Sequence, residues 1–334
     1  MRRVHFFEIF TVVNLVAIAL LARDTLSVSP IATCINFFIG LLMQAVAGIA
    51  VRSLIALVRR DRAYFRVIRT GAWIADTLRL LVFTTLMIFT YGWIKLVTPI
   101  LHPRLFDQEL WDLDRLLFFG LSPSVFFLDL FSNRTLLRAF DWSYANIFYF
   151  SAFIALAYFF SEPSRRVRIA FANGNTALWL IGAWLYMLVP SVGPAYRFPD
   201  IWMAHEQALR NTQMLQALLM RNYQNVMRIA AGETPTDVIR IIFGIAAFPS
   251  LHVAFQMYVF LWLRRLWTWG EVLFGFFVLA ILLGSMVTGW HYLIDGLTGI
   301  ALAWACYAVA WRWMCHAEQS EASPDSGDPS LLSG

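Results

Sequence analysis

The chain is dominated by long apolar runs, each close to the length that crosses a lipid bilayer. A spanning helix needs about 20 mostly apolar residues, and a helix satisfies its own backbone hydrogen bonds within lipid. With 60% hydrophobic and only 14% charged residues in a chain of 334, a soluble domain could not keep this much apolar surface from water. The sequence therefore predicts an all-α, polytopic membrane helix bundle.

These runs predict about eight transmembrane helices. Their ranges are 4–22, 31–58, 72–98, 138–160, 168–190, 248–266, 270–289 and 292–313. The first run follows Arg2 and Arg3 and has a poor signal-cleavage pattern before Arg23. We therefore expect it to remain as an uncleaved first span.

Basic residues are concentrated in the connections between alternate spans. Arginine clusters lie at 59–69, 165–168 and 264–265. The net charge is +5 and nearly all of the basic residues are arginine, since Lys95 is the only lysine. Cytoplasmic loops of membrane proteins carry an excess of basic residues. The pattern predicts that both termini are cytoplasmic, and it explains the positive charge without a nucleic-acid partner.

Two long connections then face outward, at about 99–137 and about 191–247. In the first, the segment Trp111–Phe119 alternates acidic and apolar residues as an amphipathic helix in the membrane interface would. The second opens with the turn-rich segment Gly193–Pro199. We predict a polar helix over roughly 200–230 after it.

The last span begins with a histidine and an aspartate at helical spacing. His291 and Asp295 are four residues apart, and residues at i and i+4 share one helix face. Asp295 can then accept a hydrogen bond from one ring nitrogen and leave the other as a nucleophile or base. The spacing alone could arise by chance, but an ionisable pair at the end of a span favours function.

The sixth span begins with Pro249-Ser250-Leu251-His252. Pro249 suits the first turn of a helix, where free N–H groups favour an anion such as phosphate. Ser250 can add a donor, and His252 is placed to give a proton to a leaving oxygen. Taken alone, the segment is equally consistent with a simple helix cap beside an interfacial histidine.

Arginines in the second outer connection are candidate phosphate ligands. A guanidinium group can bind two phosphate oxygens at once. Arg197, with its neighbour Tyr196, and Arg240 are therefore candidate substrate-binding residues. An arginine that reaches lipid headgroups from the interface would give the same pattern. The sequence has no zinc-type spacing of cysteine and histidine, so we predict chemistry without a metal or cofactor.

The order of these motifs resembles the type-2 phosphatidic acid phosphatase superfamily. Its members carry Lys-x6-Arg-Pro, then Pro-Ser-Gly-His, then Ser-Arg-x5-His-x3-Asp. Residues 249–252 match the second motif with leucine in place of glycine, and His291 and Asp295 match the end of the third. Gly284 and Ser285 stand where the third motif has its serine and arginine.

The first motif is matched only loosely. Arg197 takes the place of its arginine, with Pro190 at the position of the lysine and Phe198 at that of the proline. This pattern resembles the branch that contains inositol phosphorylceramide synthase. The resemblance implies a six-helix catalytic core, with two helices and a basic loop as an N-terminal addition. The C-terminal segment is acidic and rich in serine, proline and glycine, which predicts a disordered tail. The three ranges are 72–316, 1–71 and 317–334.

The resemblance implies a lipid phosphotransferase that acts at the outer membrane face. His291 would form a phosphohistidine, Asp295 would orient it, and His252 would supply the proton. The phospho-group would pass from a lipid phosphate to a lipid hydroxyl. One alternative is a lipid phosphate or polyprenyl diphosphate phosphatase that uses water, and another is a non-catalytic transporter or scaffold. We expect a bacterial inner membrane, while the sequence leaves the oligomeric state open.

Overall fold

The computed structural model describes residues 4–23 and 30–322, with side chains as far as Cys315. The described part is helical, with one short 3₁₀ turn at Ile241–Phe243 and 14 α-helices. They are α1 (Phe6–Ala22), α2 (Pro30–Val58), α3 (Arg62–Ile68), α4 (Gly71–Leu101), α5 (Asp107–Leu117), α6 (Pro123–Leu130), α7 (Arg134–Phe160), α8 (Arg165–Leu188), α9 (Pro194–Arg197), α10 (Pro199–Met203), α11 (Arg210–Ala230), α12 (Leu251–Leu266), α13 (Gly270–Val287) and α14 (Leu293–Ala322).

Each of the predicted apolar runs forms one long helix of the bundle. Five of these helices, α2, α4, α7, α13 and α14, are long and apolar enough to cross a membrane, and α1 is a shorter apolar helix. The chain is therefore a polytopic helical membrane protein. The count of eight spans and the side on which each terminus lies stay predictions.

Helix α12 lies at the centre of the bundle, packed between α8, α13 and α14. Two of its polar side chains donate hydrogen bonds to neighbouring helices, which lowers the cost of burying them in an apolar bundle. The Tyr258 hydroxyl donates to the Phe171 carbonyl oxygen at 2.9 Å, and the Gln256 amide donates to the Ser151 hydroxyl at 2.5 Å. These bonds fix the depth of α12 against α7 and α8.

The N-terminal helices α1 and α2 are tied to the other helices by ion pairs. Glu8 of α1 pairs with Arg79 of α4 at 2.5 Å, and Arg52 of α2 pairs with Glu162 at the end of α7 at 2.9 Å. All four groups lie at the end of the bundle opposite His291. The helices before residue 72 therefore pack directly on the predicted core.

The connections near His291 contain more helix than the sequence predicted. Helix α5 begins at Asp107, four residues before the predicted start, and α6 was not predicted. The turn-rich segment forms the short helices α9 and α10, and the polar helix α11 begins only at Arg210.

The predicted acidic tail also differs in part. Helix α14 continues to Ala322, so the residues from 317 to 322 are helical rather than disordered. The rest of the tail, with Asp325 and Asp328, lies outside the described residues, as do Arg2 and Arg3.

Gly48 of α2 faces the backbone of α7 at close range. A Cβ atom at this position would overlap the Ala157 carbonyl group, so Gly48→Leu should push the two helices apart. We expect a loss of about 1–3 kcal/mol of stability, seen as a lower midpoint when tryptophan fluorescence follows thermal unfolding in detergent. Gly71→Leu is the matched control, because a side chain there enters open space. Equal midpoints for both variants would contradict the close approach.

Candidate active site

His291 and Asp295 meet at the start of α14. The His291 Nδ1 atom lies 3.3 Å from Asp295 Oδ2, and the same oxygen accepts the Tyr292 N–H at 2.9 Å. His291 is 5% exposed and Asp295 is fully buried. An ionised carboxylate only accepts, so Nδ1 carries the hydrogen and Nε2 keeps a free electron pair.

The reason for this contact differs from the predicted one. His291 does not share a helix with Asp295, because α14 begins at Leu293. Asp295 is the third residue of the helix, and its carboxylate accepts the backbone N–H of Tyr292, the residue before the first turn. This is the geometry of an acidic helix cap, which brings His291 within reach at the same time.

His252 occupies the first turn of α12, as predicted. Its ring centroid lies 6.0 Å from that of His291, and the edge of Phe148 packs against it at 4.2 Å. Ser250 is the N-cap residue, and its hydroxyl accepts the Val253 N–H at 3.5 Å. Pro249 therefore precedes the cap and does not lie in the first turn, which corrects the prediction.

The starts of α12 and α14 are joined directly. The Ser250 N–H donates to the Asp295 carbonyl oxygen at 2.9 Å. A Cβ atom at Gly299 would meet the Ser250 carbonyl oxygen, so only glycine allows the helices to approach this closely. The separation of the two histidines is consequently set by backbone contacts rather than by flexible side chains.

The connection after α8 supports both histidine segments. The Ser191 carbonyl oxygen accepts the Ala247 N–H at 2.9 Å, and the Ala195 N–H donates to the Gly289 carbonyl oxygen at 2.9 Å. Gly193 has φ +97°, and a Cβ atom there would overlap the Trp290 carbonyl oxygen. Glycine is required at this crossing for both reasons.

Two buried aspartates of α5 bind the connection after α8 and the start of α14. Asp107 accepts the N–H groups of Val192 and Gly193, the latter at 2.8 Å, and the Tyr292 hydroxyl at 2.9 Å. Asp114 accepts the N–H groups at the start of α14, from Leu293 at 2.7 Å and Ile294 at 2.8 Å. Helix α5 therefore positions the segment that contains His291.

The sequence reasoning missed this role, although a signal for it was present. Asp107 and Asp114 are seven residues apart, so they share one helix face, whereas Asp112 between them is exposed. Burial raises the pKa of the Asp107 carboxyl above its ordinary value and that of Asp114 to about 6. The backbone N–H groups that each aspartate accepts act in the opposite direction.

A cavity of about 460 Å³ opens beside the two histidines. Apart from these rings, its lining near the site includes Lys95, Tyr91 and Tyr144. The Lys95 ammonium group lies 5.9 Å from the Tyr91 ring centroid and 5.6 Å from that of Tyr186. The ammonium group of Lys95 makes the histidine end of the cavity attractive to an anion.

The predicted substrate-binding residues of the outer connection lie elsewhere. Arg197 and Arg240 are exposed and outside the cavity lining; each guanidinium packs against a phenylalanine ring, Phe198 and Phe243 respectively. The Tyr196 hydroxyl donates to the Gln216 carbonyl oxygen at 3.0 Å. The structure thus brings together the predicted histidines, aspartate and serine, but not these three residues.

Fold and site together define a polytopic membrane protein in which buried His291 lies beside partly buried His252, with a cation nearby. Residues 108–309, more than half of the chain, match the family model described as the PAP2 superfamily. The chain belongs to the PAP2 superfamily, whose members are typically metal-independent phosphatases acting on lipid phosphates. No curated protein and no solved structure gave a significant match.

Lys95 lies outside the matched region, yet the sequence offered two signals for it. It is the only lysine in the chain, and an ionisable residue inside a span is rarely without a function. It is also followed, after six residues, by His102-Pro103. That is the spacing of the first family motif, with histidine in the place of arginine. The His102 ring binds the Met187 carbonyl oxygen at 2.8 Å.

Asp114 should make activity depend on pH. As the pH falls through about 6, its carboxyl takes up a proton and can no longer accept both N–H groups of α14 equally well. We expect the rate of the purified protein to fall on this acidic limb. Asp114→Asn should lack the step near pH 6 and remain at the low rate, whereas Asp112→Asn, at an exposed position on the same helix, should keep it.

The Asp114 carboxyl should also make the stability of the folded protein depend on pH. Because the folded pKa lies above the ordinary value of 3.8, the folded state binds more protons between pH about 4 and about 6. The contribution of Asp114 to stability is therefore greatest at low pH and is lost as the pH rises through about 6. If Asp114→Asn kept the fall in rate near pH 6, a group other than Asp114 would be the one that titrates at that pH.

Proposed function

We propose that this protein is a lipid phosphotransferase that forms a phosphohistidine at His291. The observation that carries the proposal is the histidine pair at 6.0 Å, beside Lys95 at one end of a largely apolar cavity. A phosphorus atom between two ring nitrogens, each about 3–3.5 Å away, fits this separation. Charge at one end and apolar surface elsewhere suit a lipid that carries a phosphate.

In the first step, His291 Nε2 attacks phosphorus and the bond from phosphorus to the lipid oxygen breaks. Protonated His252 gives its proton to that oxygen, so the lipid leaves as an alcohol. Asp295 keeps the hydrogen of His291 on Nδ1 and stabilises the positive ring that forms. The products are a phosphohistidine and neutral His252.

In the second step, His252 acts as a base. It removes the proton of an acceptor hydroxyl, whose oxygen attacks phosphorus and releases His291. The acceptor is a lipid alcohol, as the resemblance to the inositol phosphorylceramide synthase branch implies; in the alternative reaction it is water. Both steps balance without a metal or cofactor.

Charge on the phosphoryl oxygens needs positive partners. Lys95 and the N-terminus of α12 supply them in this proposal, and Lys95 takes the role that the sequence suggested for Arg197. The N-terminus of α14 is already bound by Asp114. The phosphoryl group is therefore expected on the α12 side of the site. We place the site at the extracytoplasmic face of a bacterial inner membrane, because the arginine clusters lie at the opposite end of the bundle.

Removal of the histidines tests the chemistry. We expect His291→Ala to abolish transfer and His252→Ala to slow it by about 10²–10⁴-fold, measured as loss of a radiolabelled lipid phosphate in detergent. Asp295→Asn should slow it too, because an amide no longer stabilises the charged ring. His205→Ala, in the turn before α11, is the matched control. Wild-type rates in His291→Ala would rule out the phosphohistidine, whereas absence of turnover in the wild type would favour a transporter or scaffold.

Substitutions of Lys95 test where the phosphate binds. Lys95→Met keeps much of the side-chain volume but removes the charge, and we expect a loss of about 10²–10³-fold in kcat/KM. Lys95→Arg should recover part of that loss, since it restores the charge. Arg197→Met should have a small effect. If Arg197→Met were the more damaging change, the phosphate would bind outside the cavity.

The molecule that accepts the phospho-group distinguishes a phosphotransferase from a phosphatase. The labelled lipid phosphate is supplied with a lipid alcohol, or with the same lipid methylated at its hydroxyl. Transfer predicts a new labelled phospholipid with the alcohol only. Release of labelled inorganic phosphate at equal rates in both samples would identify a phosphatase.

A further inference from the structure

The cavity extends far beyond the histidines, along the inner faces of the long helices. On α4 it is lined by Thr84, Met87, Tyr91 and Lys95, which recur at the spacing of a single helix face. From Thr84 to Lys95 the helix rises about 16 Å. A narrow space of this length is deeper than a phosphate group requires.

The lining changes character along this path. Lys95 and the two histidines mark one end, whereas Leu156 of α7 and other apolar side chains line the length beyond it. Gln44 and Asn175 bring amide groups to the far end, and Asn175 is only 4% exposed. An apolar path that runs from a charged end towards polar amide groups fits a molecule with one anionic head and one apolar chain of limited length.

One wall of the path comes from α2, outside the region that matches the PAP2 superfamily. Phe37, Gly40 and Leu41 face the cavity from this helix. A Cβ atom at Gly40 would have no neighbour within 4 Å, so this glycine leaves the space open. The N-terminal helices thus complete a cavity that begins at the candidate active site.

We propose that this cavity binds one hydrocarbon chain of the lipid phosphate, and that α2 determines which chain lengths are accepted. The inference rests on the proposed function, because Lys95 and the histidines fix where the phosphate lies. The charge at one end and the apolar wall identify the occupant as part of the substrate. Burial of each CH₂ group contributes about 0.8 kcal/mol, so a chain that fills the path binds more tightly than a short one.

Gly40→Leu tests the proposal, because a Cβ atom there meets no protein atom within 4 Å and Gly40 lines the path. The probes are monoalkyl phosphates from butyl to dodecyl, which share one head. We expect kcat/KM for the dodecyl compound to fall by about tenfold, equivalent to about 1.4 kcal/mol, while that for the butyl compound changes little. Gly71→Leu, the same substitution into open space away from the cavity, should leave both values unchanged. An equal loss for both compounds, or none, would overturn the proposal.

A second measurement separates this proposal from the catalytic one. Dodecyl phosphate with a photoreactive group at the end of its chain is cross-linked to the wild type and to His291→Ala, and the labelled peptides are sequenced. We expect labelling of α2 or α8 near Gln44 and Asn175 in both proteins, and its loss in Gly40→Leu. Labelling confined to lipid-facing residues would overturn the chain path. Absence of turnover in the wild type, with labelling intact, would instead count against the proposed reaction.

Discussion

Backbone N–H groups at helix starts must find acceptors in a protein that offers them little water. Near the two histidines, the acceptors include carboxylates and backbone carbonyl groups from other helices. Asp114 binds the start of α14, Asp107 binds the connection after α8, and the Asp295 carbonyl oxygen binds the cap of α12. Each bond satisfies a group that would be costly to bury alone, and together they fix where the histidines lie.

These hydrogen bonds fix the positions of the site residues, although those residues lie at helix starts and in the connections between helices. His252 and His291 belong to segments that are far apart in sequence, and neither lies in the middle of a helix. The Ser250–Asp295 backbone bond and the glycine at position 299 hold the two helix starts together. Reaction geometry thus follows from helix capping, a requirement that the membrane imposes on any such bundle.

The sequence predicted what depends on the bilayer and on local spacing. Apolar runs located the long helices, because lipid demands a continuous stretch, and the order of the helices put His252 and His291 at one end. The function of α5 was not predictable in the same way. Its pattern reveals a polar face, but not that Asp114 of this face meets the first turn of a helix some 180 residues later in the chain.

Lys95 shows a second limit of what the sequence can predict. Its rarity and its place in a span marked it as unusual, but only the packing of α4 against α8 and the 3₁₀ turn at Ile241–Phe243 brings it to the histidines. Arg197 and Arg240 had the right chemistry and a plausible sequence position, yet their side chains point to other surroundings. Local sequence identifies residues that are able to bind phosphate, whereas the bundle selects among them.

The position of Lys95 has a consequence for how the protein can be divided. The region that matches the PAP2 superfamily begins at residue 108, after Lys95, Asp107 and the whole of α2. A fragment cut at that boundary would keep both histidines but lose the lysine, one of the two buried α5 aspartates and a wall of the cavity. Exchange of the first 107 residues with those of a relative would therefore replace the charge and the wall as one unit, while the histidines stayed the same.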